Sequence, residues 1–277
     1  LDIEKVLVVI LGNLKIKNMK VSIIIGTQFG DEGKGITTDY LCSQNNAKKI
    51  VVRFSGGQQA GHNVRIGDVS HIHSSFGSGT LRGVPSYFSE HCTVYPLTML
   101  REKLILQSKG RAPKLYIHPL AKVTTPYDVV WNRHTEKIKK DGSCGLGIAA
   151  TMKRNIETGH KLFAIDIANP ILLKQKLDHI LNFYLNKFDS VRKRDEYLEL
   201  LRPEEDAFME SLKEITFNVQ PYEFLKNYSE IIFEGSQGVL LDMDHGIFPN
   251  VTFANTTSKN ALEICHKIGE FNIEIFY

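Results

Sequence analysis

Four short strand-like runs punctuate the chain, Val21 to Ile25, Ile50 to Phe54, Lys114 to His118 and Glu230 to Glu234, each carrying β-branched residues and bounded by glycine or polar positions. Runs of that length and composition predict buried strands, and the longer stretches between them carry apolar residues at helical spacing. The alternation predicts an α/β fold with a mainly parallel central sheet and inserted helical segments. The clearest helix is predicted to start at Asn169-Pro170, a cap followed by proline in the first turn. It should place Leu172, Leu173, Leu177, Ile180, Leu181 and Tyr184 on one core-facing stripe. Two charged stretches, Ser190 to Glu199 and Arg202 to Asp206, read as solvated faces or turns. The apolar run Val6 to Leu11 precedes Met19 and is too short to span a bilayer, which takes about 20 residues; Asp2 and Glu4 stand where a signal peptide would be basic. Residues 1–18 are therefore expected to be an extension outside the fold, and residues 19–277 the folded domain.

Composition adds little beyond exclusions. With 277 residues and 42% hydrophobic content the chain can bury a sizeable core. A formal net charge of +3 is small for this length, so neither a general nucleic-acid surface nor a membrane partner is expected. Cys42, Cys92, Cys144 and Cys265 form no C-x-x-C pair and no zinc spacing, which fits reduced thiols in a cytoplasmic protein.

The chemistry concentrates where the first strand ends. Gly26-Thr-Gln-Phe-Gly-Asp-Glu-Gly-Lys-Gly35 leads into a predicted helix and places backbone amides and Lys34 where phosphates could sit, a P-loop-like phosphate loop. It is not the usual NTPase loop, because Gly35 stands where a hydroxyl residue would hold Mg2+ and the spacing back to Gly26 is too long. Asp31 and Glu32 put negative charge beside bound phosphate, which calls for a metal or a proton-transfer role; the plainer alternative for Asp31 is a helix N-cap.

This segment resembles the signature of the adenylosuccinate synthetase family, with Phe29 where the family has Trp. Arg53-Phe-Ser-Gly-Gly-Gln-Gln-Ala-Gly-His62, Gly142-Ser-Cys-Gly-Leu-Gly-Ile148 and Phe233-Glu-Gly-Ser-Gln-Gly-Val-Leu-Leu-Asp-Met-Asp-His-Gly246, followed by Asn255-Thr-Thr257, agree in the family's order. The resemblance implies a ligase that joins L-aspartate to carbon 6 of IMP, using GTP and Mg2+ through a 6-phosphoryl intermediate. By the same resemblance Asp31 is the base that takes the proton from purine N1, and His62 is the hydrogen-bond donor or general acid at the γ-phosphate and oxygen 6. Gly30, Asp31, Glu32, Gly33, Lys34, Gly35, Gly61 and His62 would surround the donor phosphates. Asp31 and the Gly61 carbonyl would hold Mg2+. Gln59, Ala60, Ser143, Cys144, Gln237 and Thr252 would join Asp31, Lys34, Gly61 and His62 around IMP. Glycines 235 and 238 read as turn positions. Asp242, Asp244 and His245 suggest a metal site by composition, whereas the resemblance makes them the frame of the nucleotide pocket.

Departures are visible. Gln58-Gln59 replaces His-Asn, and Ser143-Cys144 replaces Thr-Thr. The family's phosphate-binding arginine near Thr158, lent by the partner of a homodimer, is missing, so Lys153 or Arg154 would have to substitute. The family also continues past the position of Tyr277 into a base-reading lysine-aspartate motif and an aspartate-holding arginine loop, so the chain is expected to be a fragment. Two other functions stay open: the phage-type branch that acts on dGMP, against which Asp31 counts, and nucleotide binding without ligation.

Overall fold

The computed structural model describes residues 19–139, 144–269 and 271–277. The expected extension at 1–18 and Ser143 lie outside these residues. In chain order the strands are β1 (Lys20–Ile24), β2 (Lys49–Arg53), β3 (His62–Ile66), β4 (Val69–His73), β5 (Ser86–Phe88), β6 (Thr93–Val94), β7 (Leu115–Ile117), β8 (Lys122–Val123), β9 (Asn218–Val219), β10 (Glu230–Glu234) and β11 (Asn272–Phe276). The helices are α1 (Lys34–Ser43), α2 (Pro96–Ser108), α3 (Pro126–Lys139), α4 (Ile148–Glu157), α5 (Pro170–Leu185), α6 (Val191–Glu214) and α7 (Lys259–Ile268).

Seven strands form one sheet in the order β11-β1-β10-β2-β5-β7-β9, and every pair is parallel. The central strands are apolar on both faces because both are covered. Val21, Ile23, Ile50, Val52, Ile231 and Phe233 pack with Leu225 and with Ala261 and Ile264 of α7, while Ile24, Val51 and Ile232 on the other face meet Cys42 of α1. The four predicted runs are thus β1, β2, β7 and β10, displaced by at most a residue or so. β3 and β4 form a separate antiparallel hairpin.

A helical layer makes a second core. Asn169 caps α5 by accepting from the Leu172 amide at 3.1 Å, and Leu173, Leu177, Ile180 and Tyr184 are buried as the spacing predicts; Leu172 and Leu181 are only half-buried. The charged stretches after it are not turns. They belong to one 24-residue helix, α6, which is capped by Ser190 and runs through Pro203. Tyr197, Leu201 and Phe208 anchor its buried face, leaving most of the charges in solvent as expected.

Register places the ends of three strands side by side. Ile24 of β1 is opposite Glu234 of β10, which is opposite Arg53 of β2. The loops that follow, 25–33, 235–238 and 54–61, therefore leave the sheet at one level, the carboxyl edge of parallel strands where open α/β sheets place ligands.

Candidate active site

The loop after β1 delivers the chain into α1 through Gly33, which has φ 80° and makes no side-chain cap. The amides of Lys34, Gly35 and Ile36 thus open the helix with no partner one turn back, and the first helical bond is from Thr37 N to Gly33 O at 3.0 Å. Such a terminus attracts anions. Glu32 has a different task from Asp31. Its carboxylate accepts from Thr27 N at 2.6 Å and from Gln28 N, Gly30 N and Thr27 Oγ1 at 3.0 Å, closing the loop on itself. Burial works against that charge, but the amide bonds outweigh it and hold the Glu32 carboxyl below its ordinary range. Three of the loop's own amides, those of Thr27, Gln28 and Gly30, are therefore taken by Glu32, and the helix start offers open ones. Lys34 is buried and donates to Gly30 O at 2.6 Å; burial lowers its pKa, and Glu32 partly offsets this. Asp31 is exposed, no hydrogen bond to its carboxylate is present among the described residues, and the cap position is Gly33, so it is not a helix cap.

His62 opens β3 beside this helix. A Cβ on Gly35 would lie 2.7 Å from the His62 Cβ, so glycine is what lets the helix start approach the imidazole. His62 Nδ1 is 2.7 Å from Glu234 Oε1, and the amide and hydroxyl of Ser78 also donate to the Glu234 carboxylate, the amide at 3.1 Å. Glu234 is fully buried, which alone would raise its pKa, yet His62, Arg53 and Ser78 bring it down to about 2. An ionised carboxylate can only accept, so Nδ1 is the donor and Nε2 is the ring atom left for a ligand. Arg53, wholly buried, donates from Nη2 to Ser236 Oγ at 2.7 Å, and its Nε and Nη1 have no hydrogen-bond partner among the described residues.

The remaining expected residues line the neighbouring loops. Gln58 is buried and structural: Nε2 donates to Thr124 Oγ1 at 3.2 Å and to Leu146 O at 3.0 Å, and Oε1 accepts from Thr93 Oγ1 at 3.1 Å. It ties the segment after Ser143 to the loop before His62. Among the described residues, Gln59 and Gln237 each keep a buried Oε1 without a hydrogen-bond partner, and Gln237 has φ 61°, a conformation rare for a residue with a Cβ. Cys144 is exposed. Gly238 is not a positive-φ turn residue: a Cβ there would fall 2.2 Å from Gln28 O, so close packing of its loop on the phosphate loop requires glycine. Val239 N to Gly26 O at 3.0 Å and Leu240 N to Gln28 O at 3.0 Å complete that interlock. Thr252 donates its amide to Leu241 O at 2.8 Å. Asp242 is a loop organiser, accepting from the amides of Asp244, His245 and Thr256 at 2.8, 3.1 and 2.5 Å.

Arg154 cannot stand in for a phosphate-binding arginine. It is buried in a fork with Asp128, Nε to Oδ1 and Nη2 to Oδ2 both at 2.8 Å, and also donates to His160 O and Val123 O. Lys153 is exposed, with Nζ 5.1 Å from the centre of the Phe253 ring, next to Thr252. Glu234, Ser78 and Arg53 went unassigned in the sequence. The available signal was an acid closing the apolar run Ile231-Ile232-Phe233, since a buried charge needs partners.

Comparison with known proteins bears on the family and the fold. The family model for adenylosuccinate synthetase matches residues 23–273. Adenylosuccinate synthetase from Azotobacter vinelandii is 34% identical over 247 residues, covering 85% of this chain and 56% of the relative; that from Chlorobium chlorochromatii is 32% identical over 266 residues, covering 90% and 58%. The fully ligated adenylosuccinate synthetase of Plasmodium falciparum has the same fold, with TM-score 0.67 at 22% identity over 93% of this chain and 61% of its own. So does the cyanophage S-2L succinoaminodeoxyadenylate synthetase bound to dGMP and dATP, with TM-score 0.64 at 17% identity over 93% and 63%. The chain thus spans little more than half the length of these curated relatives. By its ordered motifs, its fold and its match over nearly all described residues, it belongs to the adenylosuccinate synthetase family.

Proposed function

We propose that this chain carries the purine-activating part of an adenylosuccinate synthetase, which joins L-aspartate to IMP at the expense of GTP. The observation that carries the reading is Asp31, an exposed carboxylate with no hydrogen-bond partner among the described residues, three positions before Lys34 at the open start of α1. Asp31 takes the proton from purine N1, and the electron pair moves to oxygen 6. That oxyanion attacks the γ-phosphorus, the O6–P bond forms, and the bond to the β-phosphate oxygen breaks to release GDP. The amino group of L-aspartate then displaces phosphate from carbon 6. General-base assistance of this kind is worth about 10²–10⁴-fold. His62, oriented through Nδ1 by Glu234, offers Nε2 to the γ-phosphate or oxygen 6. The Lys34 ammonium and the amides of Lys34, Gly35 and Ile36 hold the donor phosphates.

Asp31 and the carbonyl of Gly61 suit Mg2+, since both are exposed hard oxygen donors to which no hydrogen bond is made among the described residues. Bound there, Mg2+ would neutralise phosphate charge. Gln59, Ala60, Cys144, Ser143, Gln237 and Thr252 are proposed around IMP, and Lys153 takes the place of the missing arginine. A second copy of the chain is the proposed partner.

The test is a calorimetric titration of IMP and of dGMP, with Mg2+, into the chain and its Asp31→Asn variant. IMP should bind more tightly than dGMP, by about 5- to 150-fold, because the extra amino group of guanine needs a buried acceptor, and an unmet one costs about 1–3 kcal/mol. Tighter dGMP binding would move the chain to the 2-aminoadenine branch, the activity named for the cyanophage neighbour. Failure of both to bind would overturn the reading.

A further inference from the structure

Behind His62 the hairpin buries a second group of side chains that the proposed reaction does not use. His71 and His73, two apart on β4, project to the same face, and α2 brings Glu102 against them. All three are buried, and one ligand atom from each lies within 4.8 Å of the others. His71 Nε2 is 3.2 Å and His73 Nδ1 is 3.9 Å from the same oxygen, Glu102 Oε1. His73 is wholly buried, yet neither of its ring nitrogens has a hydrogen-bond partner among the described residues. A buried unpartnered imidazole is costly, and a bound group that meets it is the simplest physical account.

We propose that His71, His73 and Glu102 form a site for a divalent transition-metal ion of the Zn2+ type, which clamps the β3–β4 hairpin to α2. Two imidazoles and one carboxylate are a donor set for such ions rather than for Mg2+. Metal–ligand bonds of about 2.0–2.1 Å put neighbouring donors of a tetrahedral site about 3.3 Å apart. One of the two observed separations already matches, and the other closes with a shift of about half an ångström. Glu102 is anchored for the purpose, since its oxygens also accept from the amides of Ser74 and Ser75. Lys109 Nζ lies 3.2 Å from His71 Nδ1 and 2.6 Å from Ser70 O. An ammonium can only donate, so the metal-free ring carries its proton on Nε2, toward Glu102. Metal at Nε2 moves that proton to Nδ1, and Lys109 withdraws to its bond with Ser70. The clamp bears on the candidate active site because His73 pairs with His62 across the hairpin.

The experiment is titration of the chelator-stripped chain, in a Cys144→Ser background, with Co2+ followed by visible absorption and displaced by Zn2+. One equivalent should bind, with nitrogen and oxygen ligation and no thiolate band. His71→Asn and Glu102→Gln, each checked for native circular dichroism, should weaken binding at least tenfold. Lys109→Met should tighten it, a gain that damage to the fold would not produce, and Asp31→Asn should leave it unchanged. Absence of stoichiometric binding to the folded chain, equal affinity in either folded ligand variant, or loss of binding in Asp31→Asn would overturn the assignment.

Discussion

Asp31 and Glu32 are adjacent acids with opposite fates, and the difference is one of partners. Glu32 turns inward to three amides, while Asp31 stays in solvent with its carboxylate unengaged. With no hydrogen bond among the described residues to lose, Asp31→Asn should leave the melting temperature within a degree or two. In the chain joined to the C-terminal portion of the Azotobacter relative, it should lower adenylosuccinate formation by two orders of magnitude or more; near-normal turnover would remove the base assignment. Glu234 shows what the sequence concealed. The motif was legible, but its partners come from Ser78 and His62, 156 and 172 residues away, which no local pattern reveals. Its pKa is depressed from 4.5 to about 2, so its stabilising contribution is complete above 4.5 and fades as pH falls toward 2. Unfolding by urea at pH 6 and at pH 3.5 should therefore differ less in Glu234→Gln than in the parent, by roughly 1–1.5 kcal/mol. An unchanged difference would mean that the buried contacts of the Glu234 carboxylate contribute nothing to stability.

Among the elements, those with one periodic apolar stripe were legible, and those defined by distant partners were not. The α5 helix announced its cap, its proline and its stripe; α6 hid because charge dominates its surface and Pro203 sits inside it. Strands such as β6 and β8, two residues each, are too short for alternation to register. Two substitutions probe how elements are joined. Arg154→Ala leaves Asp128 buried without its guanidinium, beside the Tyr184 hydroxyl at 2.7 Å, and should cost about 3–5 kcal/mol by denaturant unfolding. Gly35→Ala pushes the start of α1 against His62 and should cost about 1–3 kcal/mol while weakening phosphate binding. A fully stable Gly35→Ala variant with unchanged affinity would show that the contact yields freely.

For the molecule as a whole, the matched region covers 56–58% of the two curated relatives, and the proposed reading assigns purine activation to the part spanned. The 277 residues should bind IMP measurably in calorimetry, yet form no adenylosuccinate from IMP, GTP and L-aspartate; robust product formation would refute that division of labour. One property of the sheet bears on how such a chain comes into being. β10 lies between β1 and β2, although about 180 residues separate it from β2 along the chain. On a ribosome the first two strands emerge with a gap where their shared neighbour belongs, and the phosphate loop lacks the 235–240 segment that braces it. Nucleotide affinity should thus be absent from nascent chains and arise only after residue 240 has cleared the exit tunnel, so ligand capture would time the closing of the sheet.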